Sequence, residues 1–219
     1  MPIKDMSAII LAGGKSSRMG KNKMLLPLGN GTVISNLVAT LSESFHQPII
    51  VSDHSKDYRH LPVRLTGDLR DCKVKSSLVG IYSGLKVSQH EYNLVVAGDM
   101  PFVSSGLVRY LCDKRTGFDV VIPRQDDGYL QPLCAVYNKS CMHYIEEMLD
   151  QDHFKVSDLF KYVSVHYIEV EELRSFDPEL YTFFNINTPE EYSYAQKIMR
   201  QKELQKGEQD GHSDIICGG

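Results

Sequence analysis

Leu11-Ala12-Gly13-Gly14-Lys15-Ser16-Ser17-Arg18-Met19-Gly20-Lys21-Asn22-Lys23 follows directly on the apolar run Met6 to Leu11, and this junction decides the fold. A near-continuous apolar run bounded by glycines is the pattern of a central parallel strand covered on both faces. The strand stops on two glycines and then offers three lysines, an arginine and two serines. Glycine lets backbone N–H groups approach phosphate oxygens closely, so the junction reads as a nucleotide phosphate loop. Two commoner loops are excluded by spacing. Gly13 is followed five positions on by Arg18 and Gly14 by Met19, so no Walker A register fits, and Gly13, Lys15 and Arg18 do not make G-x-G-x-x-G.

At 219 residues the chain can bury a full core as one α/β domain. With 42% hydrophobic and 24% charged residues its composition is that of a soluble globular protein. A formal charge of -4 gives no global attraction to nucleic acid or to an anionic membrane, so phosphate binding must be local. No apolar run approaches the roughly 18 residues a membrane span needs, and no signal-type apolar region opens the chain. Neither a membrane nor nucleic acid is therefore expected as a partner. Cys72, Cys112, Cys134, Cys141 and Cys217 form no C-x-x-C and no zinc-type spacing with histidine, which predicts free thiols in a reducing cytoplasm.

Outward from the loop, Leu25 to Gly29 is too short and proline-broken for a helix. Thr32 is a candidate N-cap, and Val33, Ile34, Leu37, Val38 and Leu41 recur on one helical face up to Ser44. Pro48 to Val51 returns to strand, completing a unit whose crossover should be right-handed. Ser52-Asp53-His54 then lies past a strand's carboxyl end, the edge where open α/β sheets bind ligands. A short strand at Val63 to Leu65, a helix capped by Ser76 or Ser77 and running to Val87, a strand at Tyr92 to Ala97 and a helix capped by Ser104 follow. Strands alternating with helices predict an α/β, Rossmann-like, mostly parallel sheet.

Further on, Asp119 to Pro123 and Leu130 to Tyr137 read as strands around a turn at Gln125 to Gly128. Cys141 to Leu149 and Ser157 to Lys161 read as helices, and Val163 to Val170 and Thr182 to Ile186 as strands. Thr188-Pro189-Glu190-Glu191 is a capping box with proline at N1, opening a helix that turns Tyr192, Ala195 and Ile198 inward. Residues 1–201 are thus expected to be the folded domain. From Lys202 charge and glycine dominate, predicting a frayed or disordered tail over 202–219 that ends in Gly218-Gly219.

Two groups carry the candidate chemistry. Lys23 and Arg18 are the cations a triphosphate against a sheet edge requires, with Lys15 and Lys21 as weaker candidates; the competing reading is a solvated basic turn. Asp99 follows Val95-Val96-Ala97-Gly98 where a strand ends at the same edge. Magnesium is commonly held by one or two carboxylates with substrate phosphates and water, so Asp99 is the expected Mg2+ ligand.

Leu11-Ala12-Gly13-Gly14 with Arg18-Met19-Gly20 and Lys23 resembles the N-terminal signature of nucleotidyltransferases with a single Rossmann-like domain, and most closely that of the molybdenum cofactor guanylyltransferases. Asp99-Met100-Pro101, Gln131-Pro132-Leu133-Cys134-Ala135-Val136-Tyr137 and Phe184-Asn185-Ile186-Asn187-Thr188-Pro189-Glu190-Glu191 resemble later segments of the same family in family order, so the likeness spans about residues 6 to 198. The sequence departs from it at Ser76-Ser77-Leu78-Val79-Gly80, where the family has a proline, and at Ser52, where it often has asparagine. The resemblance implies a three-layer sandwich of nucleotidyltransferase type. It implies that Leu11, Ala12, Gly13, Lys23, Asp68 and Asp99 bind the nucleotide, that Asp99 binds metal, and that Asn185 and Asn187, on one face of a strand by alternation, serve the acceptor or lie near the metal.

The activity implied is transfer of GMP from GTP to the terminal phosphate of molybdenum-bearing molybdopterin, with Mg2+ as cofactor and with molybdoenzymes or cofactor-delivery proteins as further partners. An anionic acceptor phosphate needs no serine, cysteine or histidine nucleophile, and none is arranged here; alignment and charge neutralisation by Arg18, Lys23 and Asp99 would suffice. Two alternatives stay open. A cytidylyltransferase of the same fold, acting on molybdopterin or a polyol phosphate, would keep the same phosphate-binding residues. A catalytically silent nucleotide-binding adaptor would deliver the cofactor without transferring anything.

Overall fold

The computed structural model describes residues 2–13, 22–70, 72 and 74–213, with 205–213 as backbone. In chain order its main elements are β1 (Met6–Leu11), β2 (Pro27–Leu28), β3 (Gly31–Thr32), α1 (Val33–Ser42), β4 (Ile49–Val51), β5 (Arg64–Thr66), α2 (Ser77–Val87), β6 (Tyr92–Ala97) and α3 (Ser105–Asp113). They continue with β7 (Val120–Arg124), β8 (Cys134–Asn138), α4 (Cys141–Asp150), α5 (Val156–Leu159), β9 (Val165–Glu169), α6 (Val170–Leu173) and α7 (Pro189–Ser213). Seven strands form one sheet in the order β5-β4-β1-β6-β8-β7-β9, and β2 and β3 pair separately. Only β8 runs against its neighbours, pairing antiparallel with both β6 and β7.

The central strand is buried on both faces because its residues alternate between two cores. Ala8 and Ile10 pack with Ile34, Leu37 and Leu41 of α1 and Leu107 and Leu111 of α3. Ile9 and Leu11 pack with Leu78, Ile81 and Leu85 of α2 and Ile145 and Leu149 of α4. This is the expected three-layer sandwich: α1 and α3 cover one face of the central sheet and α2 and α4 the other. The helix starts follow their caps. Thr32 and Ser35 make a reciprocal capping box on α1, Ser76 accepts from the Val79 N–H at 3.4 Å, and Ser104 accepts from the Leu107 N–H at 3.4 Å.

Helix α2 presses closely on β1. A Cβ on Gly84 would sit 2.4 Å from Cγ2 of Ile9. Gly84→Ala therefore sets a helix-propensity gain of about 1 kcal/mol against an overpacking cost of about 1–3 kcal/mol. With Ile9 wholly buried in the central strand, the cost should prevail, lowering the unfolding midpoint by a few degrees in a thermal melt. An unchanged or higher midpoint would show that Ile9 moves aside freely.

Four expectations change. Leu130 to Tyr137 is not one strand: Pro132 cannot donate to a ladder and the Cys134 N–H closes a turn onto the Gln131 carbonyl at 3.0 Å, so β8 begins only at Cys134. Thr182 to Ile186 is not a strand either. Tyr181–Phe183 form a 3-10 turn, held where the Thr182 N–H donates to Asp177 Oδ2 at 2.6 Å and the Ser104 N–H to Thr182 Oγ1 at 3.0 Å. Phe183 packs into the core with α1 and α3, while Phe184 and Ile186 serve a separate cluster in which Ile186 packs with Leu28, Val33, Phe102, Ala195 and Ile198. Val170 leaves the ninth strand to open α6, where Glu169 and Glu172 make a capping box. Helix α7 continues past Lys202 to Ser213, because glutamine, lysine and glutamate are good helix formers and two glycines weaken a helix without ending it. Gly218-Gly219 lies outside the described residues. Among the described residues, no helix is long and apolar enough to cross a membrane.

Candidate active site

Because β5, β4, β1 and β6 are parallel neighbours, Asp68, Ser52, Ala12 and Gly98 all follow carboxyl ends at one edge of the sheet. Gly98 makes the centre of that edge tight. Its N–H donates to the Leu11 carbonyl at 2.9 Å, and a Cβ there would meet that oxygen at 3.2 Å and the sulfur of Met24 at 2.9 Å. Met24 is buried, so its packing on Gly98 fixes the turn Lys23–Leu25 directly beside Asp99. Asn22 caps that turn, accepting from the Met24 N–H at 3.2 Å and donating to the hydroxyl of buried Tyr58 at 3.0 Å.

The consequence is a three-residue cluster that sequence spacing could not show. Lys23 Nζ donates to Asp99 Oδ2 at 2.6 Å and to Asn187 Oδ1 at 2.8 Å. Both members of the ion pair are largely covered, with side-chain exposures of 18% and 16%. Asn187 comes from a distant segment clamped at two points: the Ile186 N–H donates to the Asp99 carbonyl at 3.0 Å, and the Asn187 N–H to Glu191 Oε2 at 2.6 Å. The capping box expected of Thr188 and Glu191 therefore also anchors a residue of the cluster. Without a strand there, the shared strand face expected of the two asparagines does not exist. Asn185 instead donates to the Phe183 carbonyl at 3.1 Å and stabilises its own turn.

Of the other sequence candidates, Leu11 and Ala12 lie at the end of β1 and the Ala12 N–H is engaged by the Val51 carbonyl at 2.9 Å, while Gly13 is exposed. Arg18, Lys15 and Lys21 lie outside the described residues. Asp68 sits away from the cluster, three strand spacings or about 14 Å along the edge from β6. It lines a cavity of about 390 Å³ with Asp53, Leu69, Arg70, Cys72 and Lys75. Burial pushes its carboxyl above the ordinary aspartate range. Lys75 pairs with Asp53, and Arg70 donates to Asp150 Oδ1 at 2.8 Å. Arg70 and Lys75 were not singled out from the sequence, because the ion pairs that place them join residues far apart in the chain.

Among the described residues no group of three or more His, Cys, Asp or Glu side chains could hold a metal. A metal here would rest on Asp99 and the ligand's own phosphates. The four cysteines described are free, as expected, and burial pushes the thiols of Cys134 and Cys141 up to about 12, so neither supplies a thiolate nucleophile near neutral pH.

Residues 8–165 match the family model of the MobA-like NTP transferase domain. The chain belongs to the MobA-like NTP transferase family. It is 35% identical over 203 residues to a probable molybdenum cofactor guanylyltransferase of Natranaerobius thermophilus, covering 91% of this chain and 98% of the relative. It is likewise 35% identical over 196 residues to the molybdenum cofactor guanylyltransferase of Desulfosudis oleivorans, covering 89% and 96%. The crystal structure of molybdopterin-guanine dinucleotide biosynthesis protein A from Archaeoglobus fulgidus is similar with a TM-score of 0.78 at 30% identity, over 91% of this chain and 100% of that one. The span that matches the MobA-like model contains Lys23, Asp68 and Asp99 and ends before Asn187, so the cluster is closed by a segment beyond it.

Proposed function

We propose that this nucleotidyltransferase transfers GMP from GTP to the terminal phosphate of molybdenum-bearing molybdopterin, forming molybdopterin guanine dinucleotide cofactor and releasing pyrophosphate. The observation that carries this reading is the Lys23–Asp99–Asn187 cluster at the end of β1 and β6, in a chain of the MobA-like family whose relatives are named guanylyltransferases. An oxygen of the acceptor phosphate attacks the α-phosphorus of GTP, the new O–P bond forms, and the bond from the α-phosphorus to the bridging oxygen breaks with its electrons leaving on pyrophosphate. The attacking oxygen is already anionic, so the protein's work is alignment and charge neutralisation.

The donor set suits Mg2+. Asp99 offers one hard carboxylate, and that ion favours one or two such ligands completed by phosphates and water. Bound there, the ion would neutralise charge on the transferring phosphates. Lys23 would bind the β- and γ-phosphates, and Arg18 would add positive charge for the departing pyrophosphate. Leu11, Ala12 and Gly13 would pass against the nucleotide, with Asp68 at the far end of the edge. There the guanine N1–H and 2-amino group present adjacent donors that one carboxylate can accept together, and such contacts would hold Asp68 ionised despite its burial. Asn187 would act at the phosphates and the segment 131–137 beside the acceptor. Free cysteines agree with a cytoplasmic enzyme that passes its product to molybdoenzymes.

Pyrophosphate release with GTP and with CTP, measured in parallel with molybdopterin acceptor and Mg2+, tests this. GTP should be favoured by about a hundredfold or more in kcat/KM, since a half-buried carboxylate left without donors penalises the wrong base. Faster CMP transfer would replace the reading with a cytidylyltransferase. No pyrophosphate with either would support the silent adaptor.

A further inference from the structure

The cluster has the form of a cation site already filled by the chain's own ammonium. Two oxygens from separate segments converge on Lys23 Nζ, Asp99 Oδ2 at 2.6 Å and Asn187 Oδ1 at 2.8 Å. Most surface ion pairs gain little because two long side chains must be ordered and water screens them. Here Met24 packed under Gly98 fixes one partner, while the Ile186–Asp99 and Asn187–Glu191 hydrogen bonds fix the others. We infer that Lys23 stands in for the metal on Asp99 until nucleotide phosphates draw its ammonium away, so that divalent metal enters only together with nucleotide. The inference rests on the nucleotidyl-transfer reading for the identity of the displacing ligand.

Charge decides the order of events. Lys23 and Asp99 together are neutral, and a divalent ion added alone would set three positive charges against one carboxylate. No acidic cluster among the described residues could absorb that excess. A triphosphate changes the balance, offering the ammonium new anionic acceptors while bringing the metal already ligated. Lysine suits this exchange because its compact charge rides on a flexible four-carbon stem and can travel while the turn Lys23–Leu25 stays fixed. Asn187 is on this account a positioning residue, holding the ammonium over Asp99.

The test is Mn2+ binding to the full chain without nucleotide, followed by electron paramagnetic resonance, for the wild type, Lys23→Gln, and Lys23→Gln combined with Asp99→Asn. Vacating the carboxylate in Lys23→Gln should create a Mn2+ site at least about tenfold tighter than in the wild type, and the second substitution should remove it. Equal Mn2+ behaviour of wild type and Lys23→Gln, including no binding by either, overturns the inference. Should Lys23→Gln fold poorly, the wild-type Lys23 ammonium signal in 15N NMR decides. Mg2+ alone should leave it in place, and Mg2+ with a GTP analogue that cannot be cleaved should shift it; displacement by Mg2+ alone overturns the inference. The two readings fail separately. Pyrophosphate release from GTP without a gain of Mn2+ by Lys23→Gln refutes the stand-in alone, and a gain of Mn2+ in a chain that releases no pyrophosphate refutes the transfer alone.

Discussion

Asp99→Asn should lower GMP transfer by about a thousandfold or more in kcat, the scale on which removal of a preorganised charge-stabilising group acts, while the protein stays folded. The carboxylate is the one acidic group in the cluster, and the proposed metal depends on its charge. The fold does not. Asparagine has the same shape, its amide oxygen can still accept from Lys23 Nζ, and the Asp99 backbone carbonyl that receives the Ile186 N–H is untouched. Circular dichroism and a thermal melt should therefore match the wild type within a few degrees while pyrophosphate release all but disappears. A variant with normal turnover would remove Asp99 from the chemistry and the metal with it.

Lys23→Ala should weaken GTP binding about ten- to a hundredfold, the worth of a charge-assisted hydrogen bond at a covered site. Calorimetric titration of GTP with and without Mg2+ checks this. The weakening should persist without metal, since on the proposed reading the ammonium binds phosphate directly, whereas Asp99→Asn should weaken GTP binding only with metal present. Unchanged affinity in both titrations would take Lys23 out of the nucleotide site. The substitution also leaves Asp99 largely covered and without its cation, which costs stability through desolvation. A modest fall in the melting midpoint should accompany the loss of affinity.

The pair of asparagines shows how far sequence reasoning reaches. Asn185 and Asn187 are equivalent in spacing, and a strand through Thr182 to Ile186 would have presented them together. In the fold, one amide stabilises a turn and the other meets Lys23, because a hydrogen bond donated to Asp177 and one received from Ser104 curl the segment into a 3-10 turn. Asx and hydroxyl side chains compete locally with strand pairing, and apolar alternation does not register that competition. Leu130 to Tyr137 fails as a strand for a related reason, a proline and a local turn inside an apolar run. The helix starts at Thr32, Ser76, Ser104 and Thr188 were all legible, since a cap bond reaches only to the third residue beyond it.

By itself the sequence determined the α/β class, the central strand Met6–Leu11, and the identity of Lys23 and Asp99 as candidates. These depend on periodicity, caps and residue chemistry, which act over a few positions. Only the tertiary structure decided that Lys23, Asp99 and Asn187 share one ammonium and that Asp68 stands apart beside a separate cavity. Those facts depend on sheet order, which places the end of β6 next to β1 and β5 two strands to its other side, and on the backbone bonds that bring a late segment to Asp99. Contacts between residues 76 and 164 positions apart are set by the packing of whole layers, which no local pattern encodes.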